Sequence, residues 1–112
     1  MAVPEIRMPK FTVSMLDTCK RYKRNVGHTL YEVMAHVDVG EGVVRFPTQA
    51  TIAQFVKDCF DFEIEVQQPE IRYTYSFQVL IPARASLESR VVFLARVASA
   101  AMLVPRAKKR TA

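Results

Sequence analysis

The stretch Ile71-Arg-Tyr-Thr-Tyr-Ser-Phe-Gln-Val-Leu-Ile81 decides the fold class, because large apolar residues occupy every second position in it. This alternation is typical of a strand that buries one of its faces. The preceding residues 62–66 alternate in the same way, and the loop 67–70 between the two runs contains a proline. We therefore expect an antiparallel β-hairpin over 62–81, with one apolar face that helices must cover.

The helix over 49–60 and the C-terminal helix over 87–104 are expected to provide that cover. Thr48 is placed to cap a helix over 49–60, and Ser14 is placed to cap a helix that runs to Arg24. The apolar stripe of the helix over 49–60 consists of Ile52, Phe55, Val56, Cys59 and Phe60. This packing would bury Tyr73 and Phe77 of the hairpin in the core.

The segment 29–39 fits two patterns. Every second residue over 31–39 is apolar, as in a strand, whereas apolar residues over 30–37 also recur with the spacing of a helix face. Thr29 and Glu32 form a capping box, and Gly40 stands where a helix C-cap is expected. We therefore expect a helix here, with a strand as the open alternative.

A long C-terminal helix is expected over 87–104, because Ser86 is placed to cap it and Pro105 ends it. Its apolar arc is wider than one small sheet can cover. Either the N-terminal helices cover the remainder or a second chain does. The residues expected at such a partner interface are Phe93, Val97, Ala100 and Val104.

The expected fold class is therefore α+β, with an antiparallel β-hairpin covered by three to four helices. A chain of 112 residues, half of them apolar, can form a single domain with a modest core. Residues 43–46 are expected as a short extended piece. An extended N-terminal arm (1–10) and a basic C-terminal tail (105–112) complete the single domain 1–112.

Charge is unevenly distributed along the chain, whose formal net charge is +5. Residues 1–24 hold six Lys or Arg against two Asp or Glu, and residues 83–112 hold seven against one. The middle, 25–82, holds three against eight. The sequence thus predicts an acidic body with two basic ends.

The basic residues form two clusters that are expected to bind RNA phosphates. One cluster ends the expected N-terminal helix, where Tyr22 is available to stack on a base, and the other is the C-terminal tail. The alternatives are a helix end whose cations complement the helix dipole and a solubilising tail. The residues concerned are Lys20, Arg21, Tyr22, Lys23, Arg24, Arg106, Lys108, Lys109 and Arg110.

The cysteines and histidines lack the spacing of a chemical site. Cys19 and Cys59 lie 40 residues apart without a CxxC motif, which predicts free thiols in a reducing compartment. His28 and His36 do not give the close ligand pairs that structural zinc sites use. No catalytic motif is present, so we expect no enzyme, no metal, no cofactor and no small-molecule substrate.

Targeting and membrane segments are not expected either. Prolines and charged residues interrupt the first 15 residues, where a signal peptide would need an apolar core. The longest apolar run, 91–104, is broken by Arg96 and is shorter than the ~20 residues of a membrane span. A soluble intracellular protein is the expectation.

Two short motifs, Leu30-Tyr-Glu-Val-Met-Ala-His-Val37 and Val39-Gly-Glu-Gly-Val-Val-Arg45, precede the expected hairpin, which ends in Leu80-Ile81. This arrangement resembles the mitochondrial ribosomal small-subunit protein family numbered thirty-four. The chain departs from that pattern in having no Trp, a single arginine after the glycines and a long helix over 49–60. The resemblance implies an RNA-associated structural protein of the mitochondrial matrix, with Arg45 as a further RNA-binding residue.

Together these features predict a non-enzymatic RNA-binding structural component of a ribonucleoprotein particle. The resemblance implies, more specifically, a mitochondrial ribosomal small-subunit protein that contacts rRNA and neighbouring subunits. The alternative is a self-assembling viral coat or nucleic-acid-packaging protein, in which the apolar face of the C-terminal helix joins identical chains. A third class is a small regulator that binds an acidic protein.

Overall fold

The computed structural model describes residues 4–17, 28–38, 40, 42–61, 76–82 and 84–105 of the chain. Within them, six strands and two helices follow one another in the order β1 (Glu5–Arg7), β2 (Phe11–Asp17), β3 (His28–Val37), β4 (Val43–Arg45), α1 (Gln49–Phe60), β5 (Ser76–Pro82), α2 (Leu87–Ala100) and β6 (Met102–Val104). The larger sheet is antiparallel with the order β1-β2-β3-β5, and β4 pairs with β6 in a separate two-stranded sheet. Both helices pack on one face of the larger sheet, which gives an α+β fold.

Strand β5 confirms the predicted alternation over the part of the decisive stretch that is described. Phe77, Val79 and Ile81 are almost completely buried and face the helices. The neighbour of β5 among the described strands is β3. The hairpin partner expected over 62–66 and the residue Tyr73 lie outside the described residues.

Strand β3 shows that the helix expected over 29–39 is wrong and that the strand alternative is right. Tyr31 and Val33 are buried on the face that carries the helices, as alternation requires. Hydrogen bonds to β2 on one side and β5 on the other hold β3 along its length. A capping box contributes only about 1 kcal/mol, which is less than two strand pairings and a buried face supply. Gly40, with φ of +72°, occupies a left-handed turn rather than a helix cap.

Strand β2 likewise replaces the helix that was expected to begin at Ser14. Phe11, Val13 and Met15 alternate and are buried against the core. The strand pairs with β3 from its first residue to its last. The alternation of apolar residues in β2 starts at Phe11, before Ser14. Taking Ser14 as a helix cap therefore divided one strand into an extended arm and a helix. The remainder of the expected helix, 18–24, is not described.

Helix α1 confirms the prediction for 49–60. The Thr48 hydroxyl accepts a hydrogen bond from the Thr51 backbone N–H at 3.3 Å and so caps the first turn. Ile52 and Val56 are fully buried, whereas Phe55, Cys59 and Phe60 pack against the core only in part. Within the described residues the fold therefore has two helices, where three to four were expected.

Helix α2 begins where predicted but is shorter than the long helix expected. The Ser86 hydroxyl accepts from the Ser89 backbone N–H at 3.0 Å, and the helix ends at Ala100 instead of residue 104. Residues 102–104, expected as the last turn of this helix, form β6 instead, because they pair with β4. A Cβ added at Gly42 would lie 2.7 Å from the Val104 carbonyl oxygen, so this pairing brings the two backbones together where only glycine fits.

The core lies between the four-stranded sheet and the helices, and it includes two residues expected at a partner interface. Phe93 and Val97 are 0 % exposed, because the side of α2 that carries them packs on the sheet. They therefore do not form a surface for a second chain. Of the other two residues expected there, Ala100 is exposed and Val104 is half-buried in β6.

Two neighbouring residues of β3 provide a test of the strand. Val33 is buried, whereas Met34 points to the opposite face and is 36 % exposed. We expect Val33→Asn to lower the free energy of unfolding by about 3 kcal/mol, because it buries an amide among apolar side chains, and Met34→Asn by about 1 kcal/mol or less. Urea denaturation measures both. Similar losses would contradict the strand, since a helix over 29–39 would place both residues on one apolar face.

Candidate nucleic-acid interface

Arg45 is the one predicted RNA-binding residue that lies in the described part of the chain. The others, which the structure does not describe, are Lys20, Arg21, Tyr22, Lys23, Arg24, Arg106, Lys108, Lys109 and Arg110. The segment that contains the first basic cluster connects β2 to β3. Because these strands are antiparallel neighbours, with Asp17 opposite Tyr31, the end of β2 and the start of β3 lie at the same end of the sheet.

The small β4–β6 sheet determines the position of Arg45. This residue ends β4 opposite Met102 of β6, and its Nη2 atom donates to the Met102 Sδ atom at 3.8 Å. The side chain is half-buried. Strand β6 ends at Val104, so the C-terminal basic cluster follows this small sheet in the sequence after one intervening residue.

Positive charge is concentrated in two short segments of the chain. Residues 20–24 and 106–110 together hold eight of the sixteen Lys or Arg and no Asp or Glu. The other residues hold eight Lys or Arg and eleven Asp or Glu, so their formal charge is −3. The two basic clusters are thus separate in the chain from an acidic remainder.

A polar groove, which the sequence patterns did not indicate, lies on the sheet face opposite the helices. Its volume is about 580 Å³, and its lining residues are Glu5, Arg7, Met8, Thr12, Ser14, His36 and Asp38. The Thr12 hydroxyl donates to Asp38 Oδ2 at 2.9 Å, and His36 Nε2 lies 3.9 Å from Asp38 Oδ1. Reading 11–17 and 28–37 as strands would have placed these polar side chains on one face.

The charges of this groove are unfavourable for a phosphate backbone. Two carboxylates, those of Glu5 and Asp38, accompany the single guanidinium of Arg7. The groove therefore does not extend the predicted RNA-binding surface.

Within the described residues, no three His, Cys, Asp or Glu side chains come together as a metal site would require. His36 lies on the sheet face opposite the helices, whereas Cys59 belongs to α1 on the other face. These two side chains consequently cannot share a zinc ion. Cys19 lies outside the described residues, as does the side chain of His28.

Cys59 is a half-buried free thiol that packs against the core, as predicted from its place in the α1 stripe. Burial raises the pKa of the Cys59 thiol above its ordinary value. The Arg96 guanidinium opposes this increase in pKa, and the Asp58 carboxylate adds to it. Arg96 and Asp58 also form an exposed ion pair across the two helices, with Nη1 and Oδ2 3.4 Å apart.

Thiol alkylation tests this environment in a Cys19→Ser variant, in which Cys59 is the only cysteine. At pH 8, iodoacetamide should react more slowly with the folded chain than with the urea-unfolded chain, because a raised pKa leaves less thiolate. The pH midpoint of the reaction should increase with Arg96→Ala and decrease with Asp58→Asn. Equal rates in the folded and unfolded chains would contradict the burial of this thiol.

Neither described helix is both long enough and apolar enough to span a membrane. No protein-family model matches the chain, no curated protein matches it, and no solved structure matches it. Any function assigned to the protein therefore depends on the arrangement of its own residues.

Proposed function

We propose that the protein is a non-catalytic, RNA-binding structural component of a ribonucleoprotein particle, comparable to a mitochondrial ribosomal small-subunit protein. One observation carries this proposal: eight of the sixteen Lys and Arg residues, with no Asp or Glu among them, are concentrated in two short segments of the chain, and the rest of the chain is formally acidic. The resemblance of residues 29–81 to a ribosomal family is consistent with it, although β3 replaces the short helix of that pattern.

The clustered cations of 20–24, between β2 and β3, and of 106–110, after β6, are of the kind that binds a phosphate backbone. Contacts to phosphates need positive charge at repeated intervals and no preformed pocket. The Debye length in physiological salt is about 8 Å, so exposed acidic groups farther away than this have little effect on the clusters. Four cations in 20–24 and four in 106–110 are sufficient to neutralise about eight phosphates.

The packed body serves, in this proposal, to hold the two clusters. Residues 18–27 are attached at both ends to β2 and β3, which belong to the four-stranded sheet. The tail follows β6, and the pairing of β6 with β4 joins it to the chain segment that contains Arg45. RNA that engages both clusters would therefore bind two sites on one folded unit, which increases the effective concentration of the second contact.

The salt dependence of RNA binding tests the proposal. We expect deletion of 106–112 to flatten the slope of log affinity against log salt concentration by about three units, because four cations no longer displace counterions from single-stranded RNA. Neutralising the four cations of 20–24 to Gln should have a similar effect. Fluorescence anisotropy of a labelled 20-nucleotide RNA, between 50 and 300 mM KCl, measures the slope.

A matched control removes the same number of charges from the body. The four residues, each exposed and each changed to Gln, are Arg7, Lys10, Lys57 and Arg84. This variant should keep the wild-type slope. The proposal is wrong if the control flattens the slope as much as the cluster variants do, or if those variants bind RNA as the wild type does.

A self-assembling coat or packaging protein is the second candidate, and exposed apolar residues favour it. Leu87 and Met102 are both 54 % exposed, at the start of α2 and in β6. Such a protein would form large closed particles from the single chain, whereas a ribosomal component requires other subunits. Electron microscopy of the purified chain with added RNA distinguishes the two.

A further inference from the structure

The outward face of α2 carries exposed apolar side chains beside the charged residues Glu88 and Arg96. Val92 is 44 % exposed and Val91 is 37 % exposed, and the small residues Ala95 and Ser99 continue the same face. The inward face, centred on Phe93 and Val97, already packs on the sheet. Exposed valines on the outer side of a helix whose inner side is fully packed leave apolar surface available for a protein contact.

This face forms one side of a shallow groove between the two helices. The groove has a volume of about 470 Å³, and its lining residues are Phe55, Val92, Ala95, Arg96, Ser99 and Ala100. Phe55 comes from α1 and the others come from α2. Alanine and serine side chains allow the backbone of a second helix to approach closely, as they do where helices pack tightly.

Two opposite charges lie at equal distances along α2 from Val92. Glu88 precedes it by four residues and Arg96 follows it by four, so each lies about one helical turn away. Among the described residues, Glu88 forms no hydrogen bond or ion pair. Arg96 lies 3.4 Å from Asp58, but both side chains stay more than 40 % exposed, so Arg96 remains accessible to a second partner.

We propose that two copies of the protein associate through this face, with their α2 helices antiparallel about a twofold axis at Val92. Twofold symmetry places the residue four positions before Val92 opposite the residue four positions after it in the second copy. Glu88 of each copy then lies opposite Arg96 of the other, and the two Val92 side chains meet at the axis. Each dimer gains one apolar contact and two ion pairs.

The charge pattern selects this partner over others. Parallel α2 helices would place Glu88 against Glu88 and Arg96 against Arg96, which is repulsive at both ends. A uniformly acidic surface would attract Arg96 and repel Glu88, and a uniformly basic surface would do the reverse. Only a surface with the same two charges in opposite order satisfies both residues, and a second copy of α2 provides it. The proposal does not depend on RNA binding.

Sedimentation equilibrium of the nuclease-treated full chain tests the dimer. The wild type should show a concentration-dependent monomer–dimer equilibrium. Glu88→Arg and Arg96→Glu should each increase the dissociation constant about tenfold, because each turns two attractive pairs into repulsive ones. The double variant Glu88→Arg, Arg96→Glu should return the dissociation constant to near the wild-type value, since it exchanges the charges without removing them.

Val92→Asp should abolish the dimer, because it places two carboxylates against each other at the axis. Ala50→Asp is the matched control, since Ala50 is exposed on α1 outside the groove, and it should leave the dimer unchanged. Far-ultraviolet circular dichroism checks that each variant is folded.

Three outcomes would overturn the proposal. The first is a wild type that stays monomeric at every concentration, since the face would then have a different partner. The second is a double variant whose dissociation constant is no lower than those of the single variants. The third is a dimer that persists in the Val92→Asp variant.

Discussion

The register of β3 is the constraint on which the rest of the described structure depends. This strand is hydrogen-bonded to β2 along one edge and to β5 along the other, so it sets the position of both. Its alternating residues Tyr31 and Val33 face the helices. A shift of one residue would turn this set to the opposite face and remove the surface on which α2 packs. The Arg90 guanidinium reinforces the register, because it donates to the Tyr31 hydroxyl at 2.9 Å and lies over its ring.

Features that depend on neighbouring residues could be predicted from the sequence. The Thr48 and Ser86 caps and the alternation that buries Phe77 are examples, because each is decided within a few residues. Elements that depend on distant partners were not predicted. The segment 29–39 satisfies a helix pattern and a strand pattern equally well, and the choice is made by β2 and β5. The end of α2 is decided in the same way, by a strand almost 60 residues earlier in the chain.

The same distinction between local and distant information applies to the candidate site. The basic clusters are visible in the sequence because charge needs no structure to be counted, whereas their attachment to one end of the sheet and to β6 required the fold. The wide apolar arc of the C-terminal helix was also recognised, but the residues assigned to a partner, Phe93 and Val97, belong to the inward half. Periodicity locates an apolar arc on a helix, but it does not tell which half of the arc meets the sheet.

The chain therefore combines an α+β body, built around β3, with two basic segments that join this body at β2 and β3 and after β6. Backbone NMR of the full chain tests the body most directly, because it reports secondary structure and hydrogen exchange for each residue. The account predicts extended-chain ¹³C shifts over 29–37, and amides in β3 that exchange more slowly than those of the short edge strand β1, since β3 is bonded on both sides. Helical shifts over 29–37, or β3 amides that exchange as fast as those of β1, would contradict it.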